Sequence, residues 1–244
     1  MRTLLVTLAI GENYLREYEA LFKHSQQAYA ETHGYDFKVV TDYLDPEHAC
    51  PGAISFHKIL VCSQEWSQAY DFILFVDADI LIHPRSPSLH DFMDYGDKIG
   101  VVDEYSQPTK ALRLETQRRM NWESTATDYY KLCDFEIETE KVFNSGVLVL
   151  QPRKHAAFLE NIYRKHVGTA ASHHRRFHYE QSAIGYYLQF HDMYKLLPNE
   201  FNAVWALTKI STGNSLSLQE FYKKNFFTHF AGHCDISKVP DLNP

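Results

Sequence analysis

The segment from residue 72 to residue 79 reads FILFVDAD, five apolar residues followed by two aspartates around an alanine. A short continuous apolar run is typical of a strand buried on both faces, as in a parallel sheet. Asp77 and Asp79 are two positions apart, so an extended chain presents both carboxylates on the same side. We therefore expect two carboxylates at the carboxyl end of a buried strand, where open α/β sheets bind ligands.

This Asp-x-Asp motif predicts a divalent-cation site. Two carboxylates so close repel each other unless a cation lies between them, and hard oxygen ligands favour magnesium, manganese or calcium. A nucleotide diphosphate would complete the coordination. The alternative is that the tripeptide forms only a turn or a helix N-cap.

The residues before this strand predict a βαβ pattern that repeats. Residues 3–10 form an apolar run and 35–41 alternate, as strands do, whereas 12–32 and 56–69 show apolar residues at helical spacing. Gly34 is suited to end the first of these helices. Strands that alternate with helices favour a parallel sheet.

The remainder of the chain continues the same α/β pattern. We expect strands at 98–102 and 142–150, and helices at 153–166, 179–190 and 217–224. Residues 103–140 are polar and irregular, which predicts a substrate-covering loop or a small subdomain. The prediction is a single domain, residues 1–244, with a nucleotide-binding half (1–102) and an acceptor-binding half (103–244).

Composition favours a soluble globular protein without a nucleic-acid partner. The 244 residues are 45% hydrophobic and 23% charged, and the net charge of -7 argues against binding to phosphate backbones. The densest basic stretch, residues 173–176, is short. Four cysteines without a Cys-x-x-Cys pair predict free thiols in a reducing, cytoplasmic setting. The apolar run 4–10 is too short to span a membrane, although a lost anchor stays possible.

Two further segments carry residues suited to a sugar-nucleotide site. His229 alternates within an apolar segment and is a candidate nitrogen ligand, while Gly232 lets backbone amides approach a phosphate. Asn144 and Gly146, at the start of a strand, are candidates for sugar contacts. For each, the alternative is structural: a core histidine, a β-bulge or a turn.

A helix start and a lysine complete the candidates. Glu180 and Gln181 fall in the first turn of a helix, where the helix dipole favours a carboxylate, so Glu180 could simply cap that helix. Lys58 lies just inside its own helix and could donate to phosphate or sugar. The alternative for Lys58 is a solvated surface lysine.

Taken together, four short motifs resemble GT-A fold glycosyltransferases. They are FVDAD at 75–79, FNSGV at 143–147, YEQSA at 179–183 and THFAG at 228–232. The chain is most similar to the galactosyl, xylosyl and mannosyl transferases of glycosyltransferase family 34, with the glycogenin-like family 8 a near second. The resemblance implies a Rossmann-like, mostly parallel central sheet flanked by helices.

The resemblance also implies a donor, a metal and an acceptor. The donor would be a UDP- or GDP-linked sugar, the acceptor a glycan or glycoprotein, and the metal Mn²⁺ or Mg²⁺. Its ligands would be Asp77, Asp79 and His229, and Gln181 with Glu180 would lie under the anomeric carbon. The donor would be contacted by Ala9, Tyr14, Lys58, Asp77, Ala78, Asn144, Gly146 and Gly232.

Two features depart from the family pattern. Family 8 has Lys-Pro-Trp after the glycine, whereas this chain has HCD at 233–235, which leaves Lys238 as the candidate phosphate-binding lysine. The Golgi membrane anchor of eukaryotic members is absent, which suggests a bacterial or viral origin or a cytosolic form.

The stereochemistry leaves two mechanisms open. In a retaining enzyme, as the resemblance implies, Gln181 would stabilise the reacting sugar, or Glu180 would form a covalent glycosyl-enzyme. In an inverting enzyme, Asp103 or Glu104 would be the base.

Other activities fit the sequence less well. A sugar-nucleotide pyrophosphorylase would have an Arg-containing glycine-rich loop where this chain reads GENY at 11–14, and a haloacid-dehalogenase-like phosphatase would not have Leu81 after its motif. A catalytically silent sugar-binding module is the remaining alternative.

Overall fold

Nine strands are present in the computed structural model, which describes residues 1–122, 125–172 and 179–242. They are β1 (Thr3–Leu8), β2 (Asp36–Val40), β3 (Phe72–Val76), β4 (Ile80–Ile82), β5 (Ile99–Asp103), β6 (Phe143–Leu150), β7 (Tyr194–Leu197), β8 (Ala203–Val204) and β9 (Phe227–His229). The basic stretch at 173–176 lies outside the described residues.

Eight α-helices accompany these strands within the described residues. They are α1 (Glu12–Leu21), α2 (Lys23–Thr32), α3 (Lys110–Met120), α4 (Ala126–Lys131), α5 (Pro152–Ala171), α6 (Tyr179–Phe190), α7 (Trp205–Ser211) and α8 (Leu218–Lys224). 3-10 helices, which are wound more tightly, include Pro51–Ser63, Glu65–Ala69 and Asn199–Asn202. None of these helices combines the length and apolar content that crossing a membrane requires.

The central sheet has six strands in the order β2-β1-β3-β6-β5-β7. β1 pairs in parallel with β2 and β3, and β5 pairs in parallel with β7. β6 runs antiparallel to both β3 and β5. Five strands therefore point the same way, which confirms the predicted mostly parallel sheet flanked by helices.

A second, smaller sheet lies beside the ends of these strands, in the order β4-β9-β8. β9 is its central strand: His229 pairs with Ile80 of β4 on one side and with Val204 of β8 on the other. Its three strands have two or three residues each and are distant in sequence, so local pattern could not predict that they pair. This sheet nevertheless determines the site, because it brings residue 229 beside the Asp-x-Asp motif.

The two faces of the central sheet pack against different helices, as the period of two in a strand requires. One face contacts α5 and the 3-10 helix Pro51–Ser63 through Val6, Phe75, Leu148, Phe56 and Leu159. The other carries Leu5, Leu74 and Val149 and packs against Tyr29 of α2 and against Phe201. Both faces are buried along the central strands β1, β3 and β6, which explains their apolar runs, whereas the edge strands β2 and β7 are partly exposed.

Several predicted boundaries were wrong because tertiary packing overrides local pattern. The helix expected at 12–32 breaks at Phe22, which is 1% exposed and packs on Phe230 with ring centroids 5.7 Å apart. The helix expected at 56–69 is two 3-10 helices separated by an extended Gln64. The region 103–140 contains α3 and α4 rather than only irregular chain.

The four cysteines form no disulfide.

Candidate functional site

A cavity of about 390 Å³ opens at the carboxyl ends of the central strands. This is the edge at which α/β sheets bind ligands, and the Asp-x-Asp motif following β3 reaches into it. Most of the residues predicted from sequence line it, namely Tyr14, Lys58, Asp77, Asp79, Glu104, Asn144, Glu180, Gln181, His229 and Gly232. The cavity therefore gathers residues that are up to 224 positions apart in the sequence, from Leu8 to Gly232.

Three of these side chains form a cluster suited to a metal ion. Asp77, Asp79 and His229 each offer one ligand atom, and these atoms lie within 4.8 Å of one another. His229 Nε2 is 3.3 Å from Asp79 Oδ1. Two carboxylates and one imidazole are a donor set that Mn²⁺ and Mg²⁺ accept, so the residues fit the expected ion.

Backbone hydrogen bonds hold this cluster in place. The N–H of Asp77 donates to the carbonyl of Gly146 on β6 at 2.7 Å, and the N–H of Phe230 donates to the carbonyl of Asp79 at 2.9 Å. The Gln26 amide donates to the carbonyls of Asp77 and Ile80 from inside the core. The turn that carries both aspartates is thus fixed from three sides.

The charges of the cluster shift the protonation of its members. Burial raises the pKa of Asp77, and neighbouring Asp79 adds to this although Lys58 opposes it. Burial also disfavours the charged forms of Asp79 and His229, but their attraction outweighs it, so the pKa of Asp79 is lowered and that of His229 is raised. The aspartate and the histidine stabilise each other's charge where a cation would otherwise lie.

Lys58 supplies a fixed positive charge beside the cluster. It is only 4% exposed, and its Nζ lies 3.0 Å from Asp77 Oδ1 and 3.8 Å from Glu180 Oε1. Nζ also donates to the Ser145 hydroxyl, which donates to Glu180. Burial lowers the pKa of Lys58, but Asp77 and Glu180 outweigh this and raise the pKa. The solvated alternative for this lysine was wrong.

A second polar group lines the other side of the cavity, around Glu104. Its Oε2 accepts from the side-chain amides of Asn144 at 2.9 Å and Gln181 at 3.3 Å. Its Oε1 accepts from Arg113 at 3.0 Å. Gln181 also donates to the hydroxyl of Tyr129 at 3.1 Å. The Gln181 amide is therefore held by two partners at the wall of the cavity.

Three predicted donor contacts lie just behind the cavity wall. Ala9 and Ala78 are 0% and 2% exposed and belong to an apolar cluster with Phe230. Gly146 lies beside the imidazole of His229, where a β-carbon would clash. These three small residues lie behind the wall, and none of them lines the cavity.

Two predicted residues are placed apart from the site. Lys238 is 57% exposed and forms an ion pair with Asp235 at 3.0 Å, because the chain turns at Asp235 with φ of 57°. Asp103 is 7% exposed, and its Oδ1 accepts from the backbone N–H groups of Tyr105 and Val142. Its carboxylate thus caps the backbone at the end of β5, and neither residue lines the cavity.

Sequence reasoning missed three residues of the site. Asn202 Oδ1 lies 2.8 Å from His229 Nδ1, Arg113 pairs with Glu104, and Ser145 links Lys58 to Glu180. Ser145 lies within the FNSGV segment, between Asn144 and Gly146, so that motif could have identified it as a site residue. No local pattern marks Asn202 or Arg113, whose roles depend on contacts with distant residues.

A family model decides the relationship to known proteins. The model of the galactosyl transferase GMA12/MNN10 family, glycosyltransferase family 34, matches residues 1–236. The chain belongs to this family. It is therefore an enzyme, a nucleotide-sugar-dependent glycosyltransferase, as the sequence motifs predicted. None of the curated proteins searched matches it.

Solved structures support the fold of this transferase. A glycosyltransferase involved in glycosylation of the major capsid of PBCV-1 is similar with a TM-score of 0.64 and 14% identity, over 99% of this chain and 98% of that one. An active-site mutant of LgtC gives a TM-score of 0.60 at 14% identity, over 98% and 94%. The galactosyltransferase LgtC with donor and acceptor sugar analogs gives 0.57 over the same shares. The transferase has the GT-A fold in a single domain.

Proposed function

We propose that this transferase moves a sugar from a UDP- or GDP-linked donor to a hydroxyl of a glycan or glycoprotein, with a divalent metal and with retention of configuration. The observation that carries the proposal is the cluster of Asp77, Asp79 and His229 in the same cavity as Lys58, Glu180 and Gln181. Carboxylates, an imidazole and a buried lysine in one cavity are suited to an anionic ligand bound through a metal ion.

Asp77, Asp79 and His229 would hold Mn²⁺ or Mg²⁺. When bound, the ion would neutralise the negative charge that develops on the leaving diphosphate. Lys58 lies next to Asp77 and would add a second positive charge on the same side of the donor. Their combined charge offsets Asp77, Asp79 and Glu180, and Arg113 pairs with the fourth carboxylate of the cavity, Glu104, so an anionic ligand can enter.

The remaining donor contacts follow from the positions of the cavity walls. Tyr14, just after β1, would contact the base, and the backbone amides near Gly232 would approach the diphosphate. Asn144 would face the sugar hydroxyls. Most nucleotide contacts then come from residues 1–102, and residues 103–244 would supply sugar and acceptor contacts.

Retention is favoured by the state of the groups around Gln181. A neutral amide is a poor nucleophile but can stabilise positive charge at the anomeric carbon through its oxygen. Glu180 is tied to Lys58 and Ser145, which weakens it as a nucleophile. The LgtC mutant has an active-site glutamine replaced by glutamate, which supports a role for a glutamine in a similar fold.

An inverting mechanism has weaker support. Asp103 is occupied by two backbone N–H groups and does not line the cavity. Glu104 lines the cavity, but its oxygens already accept from Arg113, Asn144 and Gln181, so neither oxygen is free to take a proton from an acceptor hydroxyl without breaking one of these bonds. A pyrophosphorylase and a silent sugar-binding module are further alternatives, and the family assignment favours neither.

A screen of nucleotide-sugars tests the proposal. The protein is incubated with UDP- and GDP-linked sugars, with and without Mn²⁺ and with a panel of glycan acceptors. Release of nucleoside diphosphate that requires Mn²⁺, together with a product whose anomeric NMR coupling matches that of the donor, is the expected result. Inverted product would contradict retention. Binding without release from any donor would favour the sugar-binding module.

A further inference from the structure

Three hydrogen bonds connect the backbone of Gly146 to the ring of His229. The N–H of Gly146 donates to Asn144 Oδ1 at 2.9 Å, Asn202 Nδ2 lies 2.7 Å from the same oxygen, and Asn202 Oδ1 lies 2.8 Å from His229 Nδ1. Asn144, Asn202 and His229 are at most 5% exposed. Water therefore has little access to these bonds.

The direction of this series is fixed at its first bond. A backbone N–H can only donate, so the Asn144 atom that faces it must be the amide oxygen. That oxygen also faces Asn202, which must therefore present its NH₂ group to it. The oxygen of Asn202 then faces His229, and an amide oxygen can only accept. Nδ1 of His229 must carry the hydrogen.

A second contact supports the same orientation of Asn144. Its Nδ2 lies 2.9 Å from Oε2 of Glu104. Glu104 also pairs with Arg113 at 3.0 Å, a contact that favours the ionised, acceptor-only carboxylate. The Asn144 amide is thus oriented at both ends, by a donor on one side and an acceptor on the other.

This tautomer leaves Nε2, the other ring nitrogen of His229, without a hydrogen. A neutral imidazole with its hydrogen on Nδ1 has a lone pair on Nε2, the form that binds a metal. Nε2 of His229 points toward Asp79, at 3.3 Å, within the cluster that includes Asp77. A hydrogen bond from the non-ligating nitrogen also fixes the plane of the ring, which is the usual role of partners behind a metal ligand.

We propose that Asn202 is a positioning residue that holds His229 in the Nδ1–H tautomer with Nε2 directed into the metal cluster, and that the Gly146 N–H sets this tautomer through Asn144. The inference rests on the proposed metal site. It assigns Asn144 a second task besides facing the donor sugar, and it gives Asn202, in the 3-10 helix Asn199–Asn202, a defined chemical function.

The experiment compares Asn202→Leu with Asn199→Leu as the matched control. Asn199 belongs to the same 3-10 helix but bonds only Ser106 among the described contacts. Mn²⁺ affinity is measured from the EPR signal of the free ion. We expect about a 10- to 100-fold loss for Asn202→Leu, the range found when partners behind metal ligands are removed, and no change for Asn199→Leu.

The tautomer is measured directly in the wild-type protein. Long-range ¹H–¹⁵N spectra of histidine-labelled protein, saturated with diamagnetic Mg²⁺ at mildly alkaline pH, should show the hydrogen of His229 on Nδ1. This measurement needs no variant, so it decides the matter even if Asn202→Leu does not fold.

Two results would overturn the proposal: a hydrogen on Nε2 in the wild type, or an Asn202→Leu protein that folds and binds Mn²⁺ as tightly as the wild type. Failure of the underlying function looks different. In that case the wild-type protein itself would bind neither Mn²⁺ nor Mg²⁺, and the positioning role would fall with it.

Discussion

Gly146 lies so close to His229 that residue 146 has no room for a side chain. A β-carbon there would be 2.7 Å from Cε1 and 3.0 Å from Nδ1 of His229, and 2.9 Å from Oδ1 of Asn144. Carbon–carbon contacts this short do not persist in packed interiors, so one of the neighbours would have to move. A glycine is thus required in the FNSGV segment because the imidazole of His229, 83 positions later in the sequence, occupies the space of a side chain.

The first prediction follows for Gly146→Ala. The added methyl should displace His229 and lower Mn²⁺ affinity at least about tenfold. Gly168→Ala is the matched control, because a β-carbon at that position of α5 meets nothing within 4 Å. There alanine should raise helix stability by about 1 kcal/mol and leave Mn²⁺ affinity unchanged. Metal titrations of both variants check this, and unaltered affinity in Gly146→Ala would refute it.

The second prediction concerns the buried charge of Lys58. Lys58→Met preserves the volume of the side chain but leaves Asp77 and Glu180 without their cation, which should cost about 3–5 kcal/mol in the free energy of unfolding. Lys154→Met removes an exposed ion pair with Asp97 and should change the free energy of unfolding by less than about 1 kcal/mol. Urea denaturation of the metal-free proteins at neutral pH measures both. Equal losses would contradict the assigned role.

The third prediction is an acid-dependent loss of stability through His166. Burial lowers the pKa of His166 to about 4, and its ring nitrogens contact the hydroxyls of Tyr179 and Tyr187. An unfolded histidine has a pKa of about 6.5. The unfolded state therefore binds more protons between these values, so the contribution is complete above pH of about 6.5 and falls as the pH drops to about 4.

The magnitude of this effect is on the order of 3 kcal/mol across that window. His166→Phe should make the unfolding free energy depend less on pH over this range, while the exposed His24→Phe should leave the dependence unchanged. Denaturant unfolding at a series of pH values gives the comparison. The same slope in His166→Phe and the wild type would show that this imidazole is not the group responsible.

The fourth prediction separates Asp103 from the chemistry. Its Oδ1 accepts both backbone N–H groups, and the oxygen of an asparagine side chain can do the same, so Asp103→Asn should retain activity within a few-fold. Loss of a true general base costs about 10²–10⁴-fold. Turnover with saturating donor and acceptor is the measurement. A loss of that size in a folded Asp103→Asn protein would restore the inverting mechanism.

The parts of the fold that sequence could predict are those set by local pattern. The apolar runs of β1, β3 and β6 identify buried strands, and the motif after β3 lies at the ligand-binding edge because strand geometry requires it. Helix α6 ends at Phe190, as predicted, and its described part begins at Tyr179 with the YEQSA segment.

The parts that sequence could not predict depend on contacts between distant residues. The residue pattern identified His229 as a candidate ligand, but the sheet β4-β9-β8 that brings it to Asp79 joins short strands that are distant in sequence, so their pairing could not be predicted. Lys238 was a reasonable candidate from its position after the glycine, but the turn at Asp235 directs it into an ion pair. The role of Asn202 depends on its contacts with His229 and Asn144, so no local sequence pattern could have predicted it.

The most direct test of the central claim is nucleoside diphosphate binding by Asp79→Ala, with Asp42→Ala as an exposed acidic control. Calorimetric titration with UDP and GDP is performed in the presence and absence of Mn²⁺. We predict that the wild type and Asp42→Ala bind more tightly with Mn²⁺, and that folded Asp79→Ala loses this dependence. Equal Mn²⁺-dependent affinity in Asp79→Ala and the wild type would contradict the metal site and the function proposed from it.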